Sequence, residues 1–150
     1  MKKYLFTMLC LLALRLQATP PPPEPVGQRL GLSLIEVIDS IHKEGVYHYT
    51  HFRTEQRALG PVTGVVFEDK TGTKALTYVF DRGECARATL VLPITEYEVR
   101  AVTYDLFFTK LGERKWRTPY GQIEIAVLTG KDSFRYDHQS VVSIDFSRAQ

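Results

Sequence analysis

The chain has little cysteine, no asparagine and no long apolar run. Its 150 residues include two cysteines, Cys10 and Cys85, and Cys10 lies in the apolar stretch at the amino terminus. If that stretch is removed, no internal disulfide can form, so an apolar core must supply the stability. Without asparagine there is no N-glycosylation site. We expect Cys85 to be a small buried side chain in a strand rather than a reactive thiol.

The amino terminus has the pattern of a secretory signal peptide. Lys2 and Lys3 precede an apolar run of 11 residues, from Tyr4 to Leu14, and the small residue Ala18 precedes the first prolines. Such a run makes a helix of about 16 Å, much shorter than a hydrocarbon core of ~30 Å. A cleaved leader is therefore favoured over a membrane anchor. We predict a signal peptide at residues 1–18, no membrane span after its removal, and a periplasmic or secreted bacterial protein.

No block of like charge remains after the leader. Loss of Lys2, Lys3 and Arg15 takes the formal charge from +2 to −1, so nothing in the charge pattern points to nucleic acid. Residues 19–28 hold five prolines and predict a stiff polyproline-type spacer without a fold of its own. The remaining residues, 29–150, are predicted to form one domain.

The first predicted helix is marked at both ends. Ser33 and Glu36 have the S-x-x-E spacing of a capping box. Apolar residues then recur at helical spacing up to Ile41, and Gly45 supplies a stop. These signals predict a helix that begins after Ser33 and ends near Gly45.

The second predicted helix follows the same pattern. Thr95 and Glu98 have the spacing of a capping box, and Gly112 is the expected stop. An apolar stripe runs between them, formed by Tyr97, Ala101, Tyr104, Phe108 and Leu111. A strand is the alternative, because Val102, Tyr104, Leu106 and Phe108 also alternate with polar residues.

The other segments read as short strands separated by turns such as Asp69-Lys70-Thr71-Gly72. We predict an α+β fold in which two helices pack on one face of an antiparallel sheet. The element order is one helix, four strands, a second helix, and three or four further strands. The predicted strands are Val46–Arg53, Val62–Glu68, Lys74–Phe80, Cys85–Leu92, a short one around Trp116, Gln122–Thr129, Ser133–Tyr136 and Val141–Ser147.

Two segments carry a resemblance to known envelope proteins. The stretch from Gly31 to Ile38, closing at Gly45, resembles the opening of outer-membrane assembly lipoproteins and of β-lactamase-inhibitor-protein-like domains. Leu92-Pro93-Ile94, Trp116 and Ile123-Glu124-Ile125 are similar to a pattern in small exported proteins of uncharacterised function from bacteria of the Bacteroidetes type. This chain departs from the lipoproteins by lacking a lipobox, and from the inhibitor-like domains by having one helix before its first sheet. The resemblance implies a non-enzymatic envelope protein that binds a partner, and it implies no site residues.

The residue patterns of common catalytic and metal sites are missing. His48 and His51 would face opposite ways in a regular strand and could share a metal only across a bulge, while His42 could approach His48 from the helix. Glu68, Asp69, Asp81 and Glu84 lie at hairpin ends, where solvated turn residues are normal. We therefore predict no metal, no cofactor and no enzymatic activity. A hydrolase is an alternative only if a pocket holds His48 or His138 beside an acid.

Aromatic residues suggest where a partner binds. In a regular first strand, Tyr47, Tyr49, His51 and Arg53 share one face, and tyrosine suits a surface that is sometimes covered. Trp116 lies in a second candidate, the basic segment from Arg114 to Arg117. The alternative for the residues of the first strand is ordinary cross-strand packing. The alternative for the basic segment is a solvated strand end.

The functional prediction is an exported accessory protein. We expect a monomer that binds an unknown protein or envelope component through an exposed sheet face, with Tyr47, Tyr49 and Arg53 as anchors. The alternative is a carrier of small apolar ligands between the sheet and the helices, lined by Phe80, Tyr104, Phe107 and Phe108.

Overall fold

A computed structural model describes residues 24–119, 122–128, 135–136 and 139–150. The predicted leader, residues 1–18, lies outside these ranges, as do His138 and part of the predicted strand Ser133–Tyr136. The helices are α1 (Pro25–Gln28), α2 (Leu34–Glu44) and α3 (Ile94–Phe107). The strands are β1 (Tyr47–Arg57), β2 (Gly60–Asp69), β3 (Ala75–Asp81), β4 (Glu84–Pro93), β5 (Thr109–Gly112), β6 (Lys115–Arg117), β7 (Ile123–Leu128), β8 (Arg135–Tyr136) and β9 (Gln139–Arg148).

Eight strands form one antiparallel sheet in the order β1-β2-β3-β4-β9-β7-β6-β5, and β8 pairs with β9. The last strand thus lies in the middle of the sheet, between β4 and β7, while β1 and β5 form its two edges. The α+β class and the antiparallel sheet are confirmed. Within the described ranges, no helix is long and apolar enough to cross a membrane.

The start and end of α2 follow the sequence signals. The Glu36 amide donates to Ser33 Oγ at 3.4 Å, and the Ser33 amide donates to Glu36 Oε2 at 2.8 Å, so the predicted capping box is confirmed. Gly45 ends the helix at φ 66°, a left-handed conformation that suits glycine. Val37 and Ile41 are buried and attach the helix to the sheet.

Helix α3 exists as predicted, but both of its ends differ. Pro93 occupies the N-cap position and provides no side-chain hydrogen bond, so Thr95 lies inside the first turn rather than capping it. The helix stops at Phe107 instead of Gly112, because Thr109–Gly112 pairs with β6 as an extra strand. Outward-facing Val99, Val102 and Leu106 are exposed, whereas Tyr104 is buried. Apolar residues thus lie on both the buried and the exposed side of α3, which explains why the sequence of this segment also resembled a strand.

The folded domain includes residues that were assigned to the proline-rich spacer. Glu24 is buried, and its carboxylate accepts a hydrogen bond from the Tyr104 hydroxyl at 2.6 Å and one from Arg100 at 3.1 Å. Pro25 opens α1, a position that tolerates its missing N–H, and Val26 packs into the core. The predicted end of the spacer, at residue 28, is therefore wrong, because the folded domain already includes Glu24. Among the described residues there are three helices rather than the predicted two, and five strands rather than three or four after α3.

One apolar core holds the helices to the sheet. Val26, Val37, Ile41 and Tyr104 of the helices belong to the same cluster as buried strand residues such as Leu90. The strand residues of this cluster lie on one face of the sheet, as the register of the strands shows. Val65 is opposite Tyr78, Leu76 is opposite Leu90, and Leu90 is opposite Ile144. All three helices lie on this face. In the part of the chain that the structure describes, the opposite face, which we call the helix-free face, carries no helix.

Candidate functional site

The four predicted anchor residues of β1 lie on two different faces of the sheet. The register of β1 against β2 shifts between Tyr49 and His51, and Thr50 forms a β-bulge. A bulge reverses the alternation of side chains. Tyr47 and Tyr49 therefore lie on the helix-covered face, and His51 and Arg53 on the helix-free face. The prediction that all four share a face is wrong, because alternation alone does not reveal a single inserted residue.

The two tyrosines are partly engaged with the core. Tyr47 is half-buried, and burial raises the pKa of its hydroxyl. Tyr49 is 51% exposed, and its ring meets Phe67 edge-on with 6.2 Å between the ring centroids. Neither side chain contributes to the helix-free face, so they do not form one surface with Arg53.

Trp116 is a core residue and not a surface contact. It is 2% exposed, its indole N–H donates to the Asp105 carboxylate at 2.9 Å, and its ring lies 5.4 Å from that of Tyr104. The basic neighbours Lys115 and Arg117 both pair with Glu124, at 2.7 and 2.6 Å. The predicted aromatic and basic partner site at this position is therefore wrong.

A depression of about 620 Å³ lies on the helix-free face over strands β1 to β4. Its centre is built from small or β-branched side chains, which leave room above the sheet, and ionisable side chains complete its lining. The residues that line it are His51, Arg53, Gly64, Val66, Glu68, Ala75, Thr77 and Val91. Of the predicted site residues, His51 and Arg53 belong to this depression.

Cross-strand pairing holds the lining residues in register. His51 lies opposite Val66, which lies opposite Thr77, so these three form one row across β1, β2 and β3. Glu68 and Ala75 form a parallel row beside it. The depression is thus carried by regular sheet, and its shape depends on backbone pairing rather than on a loop.

The bulge fixes the orientation of His51. The Thr50 hydroxyl donates to the Val66 carbonyl at 3.0 Å, and its oxygen lies 3.2 Å from His51 Nδ1. Since the single hydroxyl proton is used by the carbonyl, the oxygen accepts from Nδ1–H of His51. This assigns the Nδ1–H tautomer to the neutral ring and leaves Nε2 as its acceptor.

Two histidines of β1 lie on the helix-free face, on either side of the bulge. The bulge brings His48 to the same face as His51, contrary to the expectation for a regular strand, and His48 lies opposite Glu68. Even so, in the described ranges no group of three or more His, Cys, Asp or Glu side chains is arranged to hold a metal ion. The histidine in the depression is His51, whereas the hydrolase alternative named His48 and His138, of which the latter lies outside the described residues.

Two further sequence predictions have clear outcomes. Cys85 is 1% exposed in β4, so its predicted burial is confirmed. Burial raises the pKa of its thiol to about 11. Asp69 was expected to be solvated, but it is buried and accepts four hydrogen bonds from the following turn. That expectation is wrong because the turn folds back over the carboxylate.

Three of the four residues predicted to line a carrier site lie in the apolar core. Tyr104 stacks on Phe108 with 5.2 Å between ring centroids, and both side chains are buried, as is Phe80. Phe107 lies on the outer side of α3 and is partly exposed. Phe80, Tyr104 and Phe108 thus belong to the apolar core, whereas Phe107 does not.

Comparisons with known proteins identify no relative. No family model matches the chain, and neither a curated protein nor a solved structure matches it. The resemblance to envelope proteins therefore stays a prediction.

Proposed function

We propose that the chain is an exported, non-enzymatic bacterial envelope protein that binds a partner protein through the helix-free face. One observation carries the proposal: the depression on that face combines an apolar centre with His51, Arg53 and Glu68 in its lining. Specific interfaces have this composition, with apolar contact at the centre and polar groups around it. Arginine in particular is enriched among residues that dominate binding energy.

The depression fits side chains of a folded protein or peptide. Its floor lies on paired strands and so is already formed before a partner arrives, which lowers the entropic cost of binding. Arg53 offers a planar group that pairs with carboxylates, and His51 Nε2 can accept a hydrogen bond. The partner is thus expected to place an acidic or polar side chain beside an apolar one.

Affinity capture tests this proposal. Protein purified after expression of the full chain is used as bait in an envelope extract of the encoding bacterium, in wild-type form and as Arg53→Glu. Lys43→Glu, an equal charge reversal on exposed α2, is the matched control. The expected result is a captured protein that is lost with Arg53→Glu and retained with Lys43→Glu. Equal capture by all three proteins would refute the site.

Export is tested separately. We expect the protein recovered from the periplasm or the medium to begin at Thr19, after cleavage behind Ala18. Amino-terminal sequencing of the recovered protein measures this directly. An uncleaved chain that stays in the cytoplasm would contradict export without bearing on the binding face.

A further inference from the structure

We propose that a cavity between α1 and the ends of β7 and β9 binds a small aliphatic carboxylate, whose charged group pairs with Arg148. This cavity, which we call the α1 cavity, has a volume of about 610 Å³, within the range of natural ligand sites. It lies on the helix-covered side of the sheet and shares no lining residue with the depression. The inference therefore does not depend on the proposed function.

Apolar side chains form the floor of the α1 cavity. Leu30 and Ile123 line it, and each is only 8% exposed. The Leu30 amide donates to the Gly27 carbonyl at 3.1 Å, so Leu30 continues the last turn of α1, while Ile123 is the first residue of β7. An aliphatic group that rests on these two side chains would be removed from water, which favours its binding.

The rim of the α1 cavity is polar. Gln28, Gln122 and Arg148 line it and are exposed, and none of the described lining residues is acidic. The glutamine amides can donate and accept hydrogen bonds, whereas the guanidinium only donates them. An apolar floor with a few polar groups around it is typical of a site for a small molecule.

The Arg148 guanidinium is held in place but has no carboxylate partner among the described residues. It lies so close to Gly31 that a Cβ atom there would overlap it, and Gly31 has φ 87°, a conformation that suits glycine. The Gly31 amide donates to the Cys85 carbonyl at 2.7 Å, which fixes this backbone. Arg117, by contrast, pairs with Glu124 at 2.6 Å. Arg148 is thus positioned and available for an anion.

A strained backbone holds the rim together. Gln122 has φ 48°, a left-handed conformation that is costly for a residue other than glycine, and its carbonyl accepts from the Ala149 amide at 2.5 Å. Arg148 itself lies opposite Ile123 in the sheet. The start of β7 and the end of β9 are therefore tied together at the cavity before any ligand arrives. Backbone strain of this kind clusters at sites that bind ligands.

Charge and shape select the class of ligand. A guanidinium forms two parallel hydrogen bonds with one carboxylate, so one positive charge meets one negative charge. A phosphate group carries more negative charge, and Arg148 is the single cationic residue among the described residues of the lining. The floor in turn favours a carboxylate that carries an aliphatic chain. Hexanoate has both parts and is a suitable probe.

An NMR titration with hexanoate tests the inference. The protein is purified after expression of the full chain, labelled with ¹⁵N and kept at constant pH and ionic strength. We expect the amide resonances of Ile123 and Ala149 to shift and to saturate with a Kd of about 1 mM or lower. Absence of saturable shifts would overturn the inference.

Three control compounds separate the two parts of the ligand. Hexanamide has the chain without the charge, acetate has the charge without the chain, and inorganic phosphate is a different anion. Each should bind at least about tenfold more weakly than hexanoate, because each lacks one of the two contacts. Binding of any of them as tightly as hexanoate would overturn the assignment to an aliphatic carboxylate.

Variants of Arg148 test its role. Arg148→Gln removes the charge from an exposed side chain and should weaken hexanoate binding about tenfold or more. Arg148→Lys keeps the charge without the planar group and should weaken binding severalfold. Arg114→Gln, the same change at an exposed arginine between β5 and β6, is the matched control and should bind like the wild type. Unchanged binding by Arg148→Gln, or an equal loss in Arg114→Gln, would overturn the inference.

One further variant keeps the two sites apart. Arg53→Glu alters the depression on the opposite face and should bind hexanoate like the wild type. Loss of hexanoate binding in this variant would overturn the assignment to the α1 cavity. Failure of envelope capture, with hexanoate binding intact, would refute the proposed function and leave the α1 cavity as a site.

Discussion

Replacement of Asp69 tests how the turn beside the depression is held. The carboxylate accepts hydrogen bonds from the Thr71 hydroxyl at 2.6 Å, the Thr73 amide at 2.9 Å, the Thr73 hydroxyl at 3.2 Å and the Lys74 amide at 3.0 Å. This turn joins β2 to β3, the strands that supply Glu68 and Ala75 to the depression. Asp69→Ala removes all four acceptor contacts.

The expected cost follows from these four contacts. A hydrogen bond to a charged group contributes about 1.5–3 kcal/mol. The two hydroxyls can turn toward water after the substitution, whereas the two amides lose an acceptor within the turn. We therefore expect Asp69→Ala to lower the free energy of unfolding by about 3 kcal/mol. Asp81→Ala, the same change at the exposed start of the next hairpin, should cost less than about 0.5 kcal/mol.

The pH dependence gives a second readout. Burial raises the pKa of Asp69, but hydrogen bonds from Thr71, Lys74 and Thr73 outweigh it and hold the pKa below its usual value. A lowered folded-state pKa means that the charged carboxylate contributes stability above the unfolded-state value of about 4, and that this contribution is lost as the pH falls through the folded-state pKa. The stability difference between wild type and Asp69→Ala should thus shrink in acid.

Denaturant unfolding followed by Trp116 fluorescence measures both effects. Trp116 is the single tryptophan and is buried, so its emission reports unfolding. The titration is run at neutral pH and then in steps below pH ~4. A variant as stable as Asp81→Ala, or a difference that stays constant into acid, would refute the role assigned to the turn.

Three further predictions concern the core and its ends. Burial raises the pKa of the Cys85 thiol to about 11. In a chain lacking Cys10, Cys85 should therefore resist thiol reagents at pH ~8 while the protein is folded and react once denaturant is added. Fast reaction of the native protein would contradict the burial of Cys85. Ser33→Ala should lower the free energy of unfolding by about 1 kcal/mol in chemical denaturation, through loss of the cap, and no change would contradict that cap. Arg29 donates to the buried Tyr78 hydroxyl at 2.9 Å, and Arg29→Met should lower the free energy of unfolding by about 3 kcal/mol. Tyr78→Phe should cost less in the Arg29→Met background than it does alone, because the hydroxyl has already lost its donor. Strict additivity in the double-mutant cycle would contradict this hydrogen bond.

The sequence predicted elements whose signals are local. Ser33, Glu36 and Gly45 set the bounds of α2 through contacts within a few residues, and these were correct. At α3, Thr95 and Gly112 carried the same signals but did not set the ends. Instead, the backbone of Pro93 starts the helix and pairing of Thr109–Gly112 with β6 ends it. Pairing between distant segments is decided by the whole sheet, which a local signal does not contain.

The candidate site was predictable only in part for the same reason. His51 and Arg53 were identified as surface residues of β1, and both line the depression. The bulge at Thr50 could not be read from alternation, so Tyr47 and Tyr49 were placed on the wrong face. The burial of Trp116 depends on the packing of α3 against β6, which arises only in the folded sheet.

The central claim is that the helix-free face meets a partner protein. In-cell photo-cross-linking from a benzophenone amino acid at Thr77, on the floor of the depression, tests it most directly, with the exposed Val99 on the outer side of α3 as the control position. We predict one discrete protein adduct from Thr77 that disappears with Arg53→Glu, and no adduct from Val99. An adduct from Val99 and none from Thr77 would contradict the claim.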